Sequence, residues 1–260
     1  MTAPRPDATA VLFSGGLDSA VLLADAIARA ANGPDFPAPV AGSKSAEPAP
    51  VTPIYVSAGL AWEPGERAAA ERLLGSSAFA GRVRPLVALA VDMHDVYPAT
   101  HWAIRGTAPR YDTPDSDVYI EGRNIVLLSK AAVYMAHAKI GRILIGPLAG
   151  NPFPDATPAF FDAMSRALSI GLAAPLTIEA PLLSLHKADV IRLGRSLGVP
   201  LELTLSCMQP RGAAHCGACS KCRERIDAFR EAGGGDPTAY AVQGRRGGER
   251  LDGSERAEAD

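Results

Sequence analysis

The apolar patterning of this chain predicts an α/β fold built on a doubly wound parallel sheet. Three observations carry the prediction. Short, β-branched apolar runs alternate with longer segments of helical period, the pattern of βα units covered on both faces. The first run ends on a glycine pair, Gly15 and Gly16, directly before a helical segment, which is where such sheets hold ligands. Finally, the four cysteines, Cys207, Cys216, Cys219 and Cys222, crowd into one short stretch, which adds a small C-terminal four-cysteine zinc-binding segment to the main layer.

Residues 8–13 form a short apolar run that reads as a buried strand. A helix follows over 18–30, with Leu22, Leu23, Ala26 and Ile27 at helical spacing. Residues 32–50 are rich in Pro, Ala, Gly and Ser and lack periodicity, as expected of a mobile surface insertion. A second strand is predicted at 51–56, and Pro64 suits the first turn of a helix ending near residue 74. Strand 83–91 and an irregular, proline-containing stretch at 94–117 come next. The remaining order is helix 124–139, strand 142–146, helix 160–170, strand 176–180 and helix 187–197. The domain organisation expected from this is an α/β domain over 8–200 and a zinc-binding segment over 201–231. Residues 232–260, glycine-rich and charged, are expected to be a disordered tail.

Hydrophobic residues make up 47% of the 260 and charged residues 21%, enough apolar content for a large core. The formal net charge is −2. With no basic excess to release counterions, a tight nonspecific grip on nucleic acid is disfavoured. The apolar run at 8–13 is too short for a signal core or a membrane span, and clustered cysteines suit a metal site in a reducing compartment better than spread-out disulfides. A cytoplasmic protein with no membrane partner is expected, as a homodimer.

The string Ser14, Gly15, Gly16, Leu17, Asp18, Ser19 sits at the end of the first strand. Glycines let the backbone turn sharply and approach a ligand, and the next helix aims free N–H groups and its positive dipole end at the same point, which favours phosphate. No Gly-Lys-Ser/Thr closes the loop, so the kinase-type phosphate loop is excluded. Neutralising charge then has to come from Mg²⁺ or from a distant Lys or Arg, for which Arg123 and Lys187 are the candidates. The alternative is a tight strand-to-helix turn with a Ser or Asp cap. For the cysteines, a four-thiolate set with a Cys-x-x-Cys pair suits a closed tetrahedral Zn²⁺ site. A redox pair would leave two cysteines unexplained, and disulfides conflict with the expected compartment.

The six-residue string resembles the hallmark of the PP-loop ATP pyrophosphatases. That resemblance implies an adenine nucleotide α-hydrolase-like fold, with Ser14, Gly15, Gly16, Leu17, Asp18 and Ser19 holding the pyrophosphate of ATP. Further segments are similar to the 7-cyano-7-deazaguanine synthase family over about residues 10–229. Gly122-Arg123-Asn124 resembles its Gly-Arg-Asn before a long helix, Phe153-Pro154-Asp155 its Tyr-Pro-Asp, Pro181-Leu182 with Lys187 its Pro-Leu-x-x-x-x-Lys, and the cysteine stretch through Arg225 its zinc-binding end. This resemblance implies an ATP-dependent ligase that converts 7-carboxy-7-deazaguanine with ammonia, through the amide, to the nitrile of queuosine precursor synthesis. ATP, Mg²⁺ and Zn²⁺ are the implied cofactors, Asp18, Arg123 and Lys187 the catalytic residues, and Phe153 and Asp155 the substrate-binding residues. Asp155 has two readings: a carboxylate that accepts from a guanine-like N–H edge, or an N-cap for the helix near Phe160. One stretch departs from the family, Pro147-Leu148-Ala149-Gly150-Asn151 standing where the family carries Asp-Tyr-Ser-Gly. The rival functions are a PP-loop ligase acting on a related deazapurine, a tRNA base or another acid, and a zinc-ribbon nucleic-acid or protein-binding module.

Overall fold

The computed structural model describes residues 5–32 and 51–242. A five-stranded, all-parallel sheet runs in the order β3-β2-β1-β4-β5, formed by β1 (Arg5–Leu12), β2 (Val51–Ser57), β3 (Val87–Ala90), β4 (Ile140–Leu144) and β5 (Thr177–Glu179). β1 lies in the middle, with Val11 opposite both Pro53 of β2 and Leu144 of β4. The chain leaves β1 toward β2 and later returns to its other side as β4, so the sheet reverses direction between these two strands. That reversal creates a crevice beyond their carboxyl ends, the place where open parallel sheets bind ligands.

Helices cover both faces, as the strand patterning requires. On one face α1 (Leu17–Asn32), α6 (Lys187–Ser196) and α7 (Ser220–Ala232) enclose a core of Phe13, Leu22, Leu23, Leu144, Ile191 and Phe229. On the other, α4 (Arg123–Ala138) and α5 (Pro158–Leu172) pack Leu128, Met135, Ile143 and Phe161 against the sheet. α2 (Glu63–Leu74) is started by Pro64 and is fixed to the end of β2 by the Glu63 carboxylate, which accepts from the Ala58 amide at 2.7 Å and from the Ser57 hydroxyl. Thr157 caps α5, its Oγ1 accepting from the Phe160 amide at 3.2 Å.

Three regions differ from the sequence expectation. The predicted strand at 83–91 pairs only over Val87–Ala90. The irregular stretch contains the single helical turn α3 (Trp102–Arg105) and a 3₁₀ turn at Asp115–Val118, and Arg223 of α7 anchors it by donating to the carbonyls of Tyr111 (2.7 Å) and Thr113 (3.1 Å). The tail expected from residue 232 is ordered as far as residue 242. There the backbone brackets His215, whose amide donates to the Ala239 carbonyl at 2.9 Å and whose carbonyl accepts from the Ala241 amide at 2.8 Å. Low apolar content concealed this segment because hydrogen bonds hold it, from the main chain of His215 and from the side chains of Arg225 to Thr238 and of Arg195 to the Gly235 carbonyl. The expected insertion lies outside the described residues beyond Asn32, as does the tail beyond residue 242. Among the described residues no helix is long and apolar enough to cross a membrane.

The contact between α1 and α6 is close because Gly194 has no side chain. A Cβ there would meet Val21 Cγ2 at 2.7 Å and Leu201 Cδ2 at 3.1 Å, and Val21 has little rotamer freedom with which to retreat. Gly194→Val is expected to cost about 1–3 kcal/mol, seen as a lowered urea midpoint with an unchanged slope. Wild-type stability in the variant would mean that α6 can back away from α1 at no cost.

Candidate active site and metal centre

The glycine loop occupies the mouth of the crevice. The Phe13 amide extends the β1–β2 ladder to the Ile54 carbonyl at 2.8 Å, after which the chain turns. Gly15 has φ +75°, and a Cβ on it would lie 2.7 Å from the Ala70 nitrogen and 2.8 Å from the Glu66 carbonyl oxygen. The loop is therefore pressed on the backbone of α2, and any other residue is barred twice over, by conformation and by space. Two hydroxyls shape the turn: Ser14 Oγ accepts from the Gly16 amide at 3.3 Å, and Ser19 Oγ accepts from the Ser14 amide at 3.3 Å and donates to the Gly16 carbonyl at 3.0 Å. Leu17 sends its side chain into the core. The loop thus hands over directly to the N-terminus of α1, with Asp18 in the first turn.

Lys187, at the start of α6, reaches Asp18 Oδ2 at 2.6 Å and Glu224 Oε1 at 3.4 Å, and Lys221 closes the chain onto Glu224 Oε2 at 2.7 Å. Burial opposes the charge on Lys187, but Asp18 and Glu224 outweigh it and hold the ammonium above its ordinary range. Burial likewise works against an ionised Glu224, yet Lys187 and Lys221 pull its pKa down to about 2. Lys187 is thus committed to two carboxylates. Arg123 is different: its Nε is buried without a hydrogen-bond partner among the described residues, and so is Asp18 Oδ1. A buried polar atom left unpaired is costly, so these two atoms could take a ligand or ion as the missing partner.

The cleft has a volume of about 290 Å³ and is lined among others by Gly16, Asp18, Arg123, Phe153, Lys187 and Ser206. Its wall includes the whole stretch Pro147 to Asn151, the one that departs from the resembled family. Sequence reasoning missed several lining residues, three of which form one cluster. Trp62 and Trp102 stack with centroids 5.5 Å apart, and Glu66 accepts from Trp62 Nε1 at 3.2 Å and from the Tyr55 hydroxyl at 3.1 Å. Burial raises the Glu66 pKa, with Arg123 working in the opposite direction. The usable signal was composition: the chain has two tryptophans, and both line this cleft.

Phe153 lines the cleft, stacked on Tyr119 at 5.0 Å. The structure does not bring Asp155 there. Its carboxylate is buried and accepts from the Asn124 amide at 3.0 Å, while Asn124 Nδ2 donates back to the Asp155 carbonyl at 2.9 Å. It therefore caps α4. That corrects the reading of Asp155 as the cap of α5, and Asp155 is not among the residues that line the cleft. Proximity in sequence favoured α5, but Thr157 already fills that role, and α4 begins at Gly122, which has no side chain to cap it.

The four cysteines are buried, with all Sγ atoms within 4.8 Å of one another. Separations of 3.8 Å (Cys216–Cys222), 4.0 Å (Cys207–Cys219) and 3.5 Å (Cys219–Cys222) match the edges, about 3.8 Å, of a tetrahedron with metal–sulfur bonds of about 2.3 Å. Backbone amides of Cys216 (3.2 Å) and Gln209 (3.3 Å) donate to Cys207 Sγ, as a thiolate requires. The set can hold a metal ion and, with four soft ligands and no open position, fits a structural Zn²⁺. His215 is no ligand: its Nε2 accepts from the Ser206 amide at 3.0 Å, and burial followed by the Arg225 charge pushes its pKa down to about 4, which keeps the ring neutral.

Comparison with known proteins agrees with this arrangement. The family model described as queuosine biosynthesis protein QueC matches residues 104–233. The chain is 43% identical over 133 residues to a protein named 7-cyano-7-deazaguanine synthase from Anaeromyxobacter dehalogenans, covering 47% of this chain and 56% of that one. A relative of the same name from Oceanobacillus iheyensis is 41% identical over 133 residues, 50% of this chain and 59% of that one. In these two matches the chain spans little more than half of the relative. The one from Kineococcus radiotolerans is 32% identical over 249 residues, 88% of this chain and 96% of the relative.

If Asp155 is a helix cap, its removal acts on stability. Asp155→Ala is expected to lower unfolding free energy by about 1–2 kcal/mol, and Asp155→Asn, which keeps a side-chain acceptor, to recover most of that loss. Equal destabilisation by Ala and Asn in urea unfolding would contradict the cap.

Proposed function

This chain belongs to the queuosine biosynthesis protein QueC family, and on that premise we propose that it adenylates 7-carboxy-7-deazaguanine with ATP and converts it with ammonia, through the amide, to 7-cyano-7-deazaguanine. The observation that supports this most is the meeting of three features at the sheet's reversal point: the glycine loop, the unpaired Asp18 Oδ1 and the unpaired Arg123 Nε.

A carboxylate is a poor electrophile. Attack of one of its oxygens on the α-phosphorus of ATP forms a P–O bond and releases pyrophosphate, leaving an acyl adenylate. Ammonia then forms the C–N bond, and AMP leaves with the former carboxylate oxygen. Attack of the amide oxygen on the α-phosphorus of a second ATP releases a second pyrophosphate, and loss of AMP and of the two amide protons then gives the nitrile. In this reading the amides of Gly15, Gly16 and the first turn of α1 cradle the pyrophosphate, with Ser14 and Ser19 fixing the loop. Arg123 stabilises the charge on the departing pyrophosphate. Asp18, with one carboxylate oxygen unpartnered, would hold Mg²⁺, which supplies neutralising charge to ATP. Lys187 positions Asp18 and moves to phosphate oxygens when ATP competes for it. Phe153 and the tryptophan stack offer apolar walls to a planar base. Zn²⁺ on Cys207, Cys216, Cys219 and Cys222 is structural.

A second reading has one observation in its favour. The departing stretch Pro147 to Asn151 lines the cleft rather than a remote surface, so a related acid or an acceptor other than ammonia is the alternative for the same adenylation chemistry. Both are tested by pyrophosphate release. Asp18→Ala and Arg123→Ala are each expected to lower release at least about 100-fold while leaving the melting temperature within a few degrees. Retained turnover in both variants would defeat the assignment of the loop, and release of pyrophosphate without amide or nitrile would select the second reading.

A further inference from the structure

One buried cation is unused by this chemistry. Arg225 stands on α7, one turn after Cys222, and is wholly buried. Its Nε donates to Thr238 Oγ1 at 2.7 Å, Nη1 to Thr204 Oγ1 at 2.9 Å and Ser206 Oγ at 3.1 Å, and Nη2 to the Leu201 carbonyl at 2.8 Å. The guanidinium also lies 5.1 Å from the Phe229 ring centroid. All of these partners are neutral. Among the described residues no carboxylate makes an ion pair with it. Asp236 exerts the strongest favourable pull, but from beyond ion-pair reach, its carboxylate accepting instead from the Tyr240 hydroxyl at 2.6 Å.

A buried charge needs compensation nearby. Four thiolates around one divalent metal ion carry a net double negative charge, and one of those ligands, Cys222, precedes Arg225 by one turn of the same helix. The segment that Arg225 grips is also the one that backs the phosphate loop. The Leu205 amide donates to the Gly15 carbonyl at 2.9 Å, and the Leu205 carbonyl oxygen would lie 3.3 Å from a Cβ on Gly16. The next residue, Ser206, is held at its amide by His215 and at its hydroxyl by Arg225.

We propose that Arg225 is a positioning residue with two linked tasks: it is the counter-charge of the metal-loaded cysteine centre, and through Leu201 to Ser206 it holds the glycine loop in the shape that receives the pyrophosphate of ATP. The second task rests on the reading of the loop given above. Loss of the metal and loss of the guanidinium should therefore have the same consequence at a site neither of them touches.

The test compares the zinc-loaded full chain with Arg225→Gln, Arg225→Lys and Asp236→Asn. Zinc release to a chelator and Mg·ATP affinity by calorimetry are measured on each. Arg225→Gln should release zinc about 10-fold faster or more and bind Mg·ATP about 10-fold more weakly, while kcat changes less than KM. Arg225→Lys keeps the charge but lacks the planar fork, so zinc retention should return toward wild type while ATP affinity stays weakened. Asp236→Asn should match wild type in both. Wild-type behaviour of Arg225→Gln, full rescue of ATP affinity by Lys, or an Asp236→Asn variant that reproduces Arg225→Gln would each overturn the proposal. Should Arg225→Gln not fold, the Lys variant decides on the same two readouts. If the wild-type chain itself fails to bind Mg·ATP, the reading of the loop fails, and zinc release still decides the counter-charge.

Discussion

The hydrogen bond from the Leu205 amide to the Gly15 carbonyl joins two parts of the chain that lie far apart in sequence. Gly15 belongs to the first βα turn, and Leu205 begins the stretch that carries the first cysteine ligand. With α2 on one side and Leu205 on the other, the loop is confined between two backbones, at distances that leave no space for a Cβ on Gly15. A backbone–backbone bond of this kind contributes only about 1 kcal/mol by itself. Its weight comes from what it fixes: the amides of the glycine loop can only be as rigid as the segment behind them. The cysteine segment is therefore a wall of the site, and Ser206, Cys207 and Met208 line the same cleft as Gly16 and Asp18.

The charges divide along the same geometry. Lys187 lies between Asp18 and Glu224, so a cation on α6 ties α1 to α7. Arg123, entering from α4 on the other side of the crevice, keeps an uncommitted Nε. Without a ligand, one cation ties the helices together and the other keeps an unpartnered nitrogen. This arrangement follows from the sheet order, because α1 and α4 start beyond β1 and beside β4, on either side of the reversal point.

Much of this was legible in the sequence, for reasons that can be named. The strands were readable because parallel strands buried on both faces are continuous apolar runs, as in β2 with its buried Val51 to Val56. The loop and the cysteine set were readable because their chemistry demands fixed residue types at short spacing. Less local features were not. Glu66 looks like an ordinary member of an amphipathic helix and Trp62 like a residue just ahead of it, and only the fold brings them to Arg123 and Trp102. Asp155 looked like a ligand or a cap for the helix that follows it, yet its carboxylate serves α4, which precedes it by 31 positions at the contact with Asn124. The ordered backbone at 233–242 was invisible because glycine-rich composition says nothing about main-chain pairing with His215.

Adenylation of a carboxylate is the central claim, and the fate of the carboxylate oxygens tests it most directly. The acid labelled with ¹⁸O at both carboxyl oxygens is incubated with ATP, Mg²⁺ and ammonia in unlabelled water, and the nucleotide and phosphate products are examined by mass spectrometry. Adenylation followed by dehydration of the amide predicts labelled AMP, one ¹⁸O in each of two AMP molecules per nitrile formed, and unlabelled pyrophosphate. Label appearing in inorganic phosphate, with ADP as the nucleotide product, would show activation by phosphoryl transfer and would contradict the account.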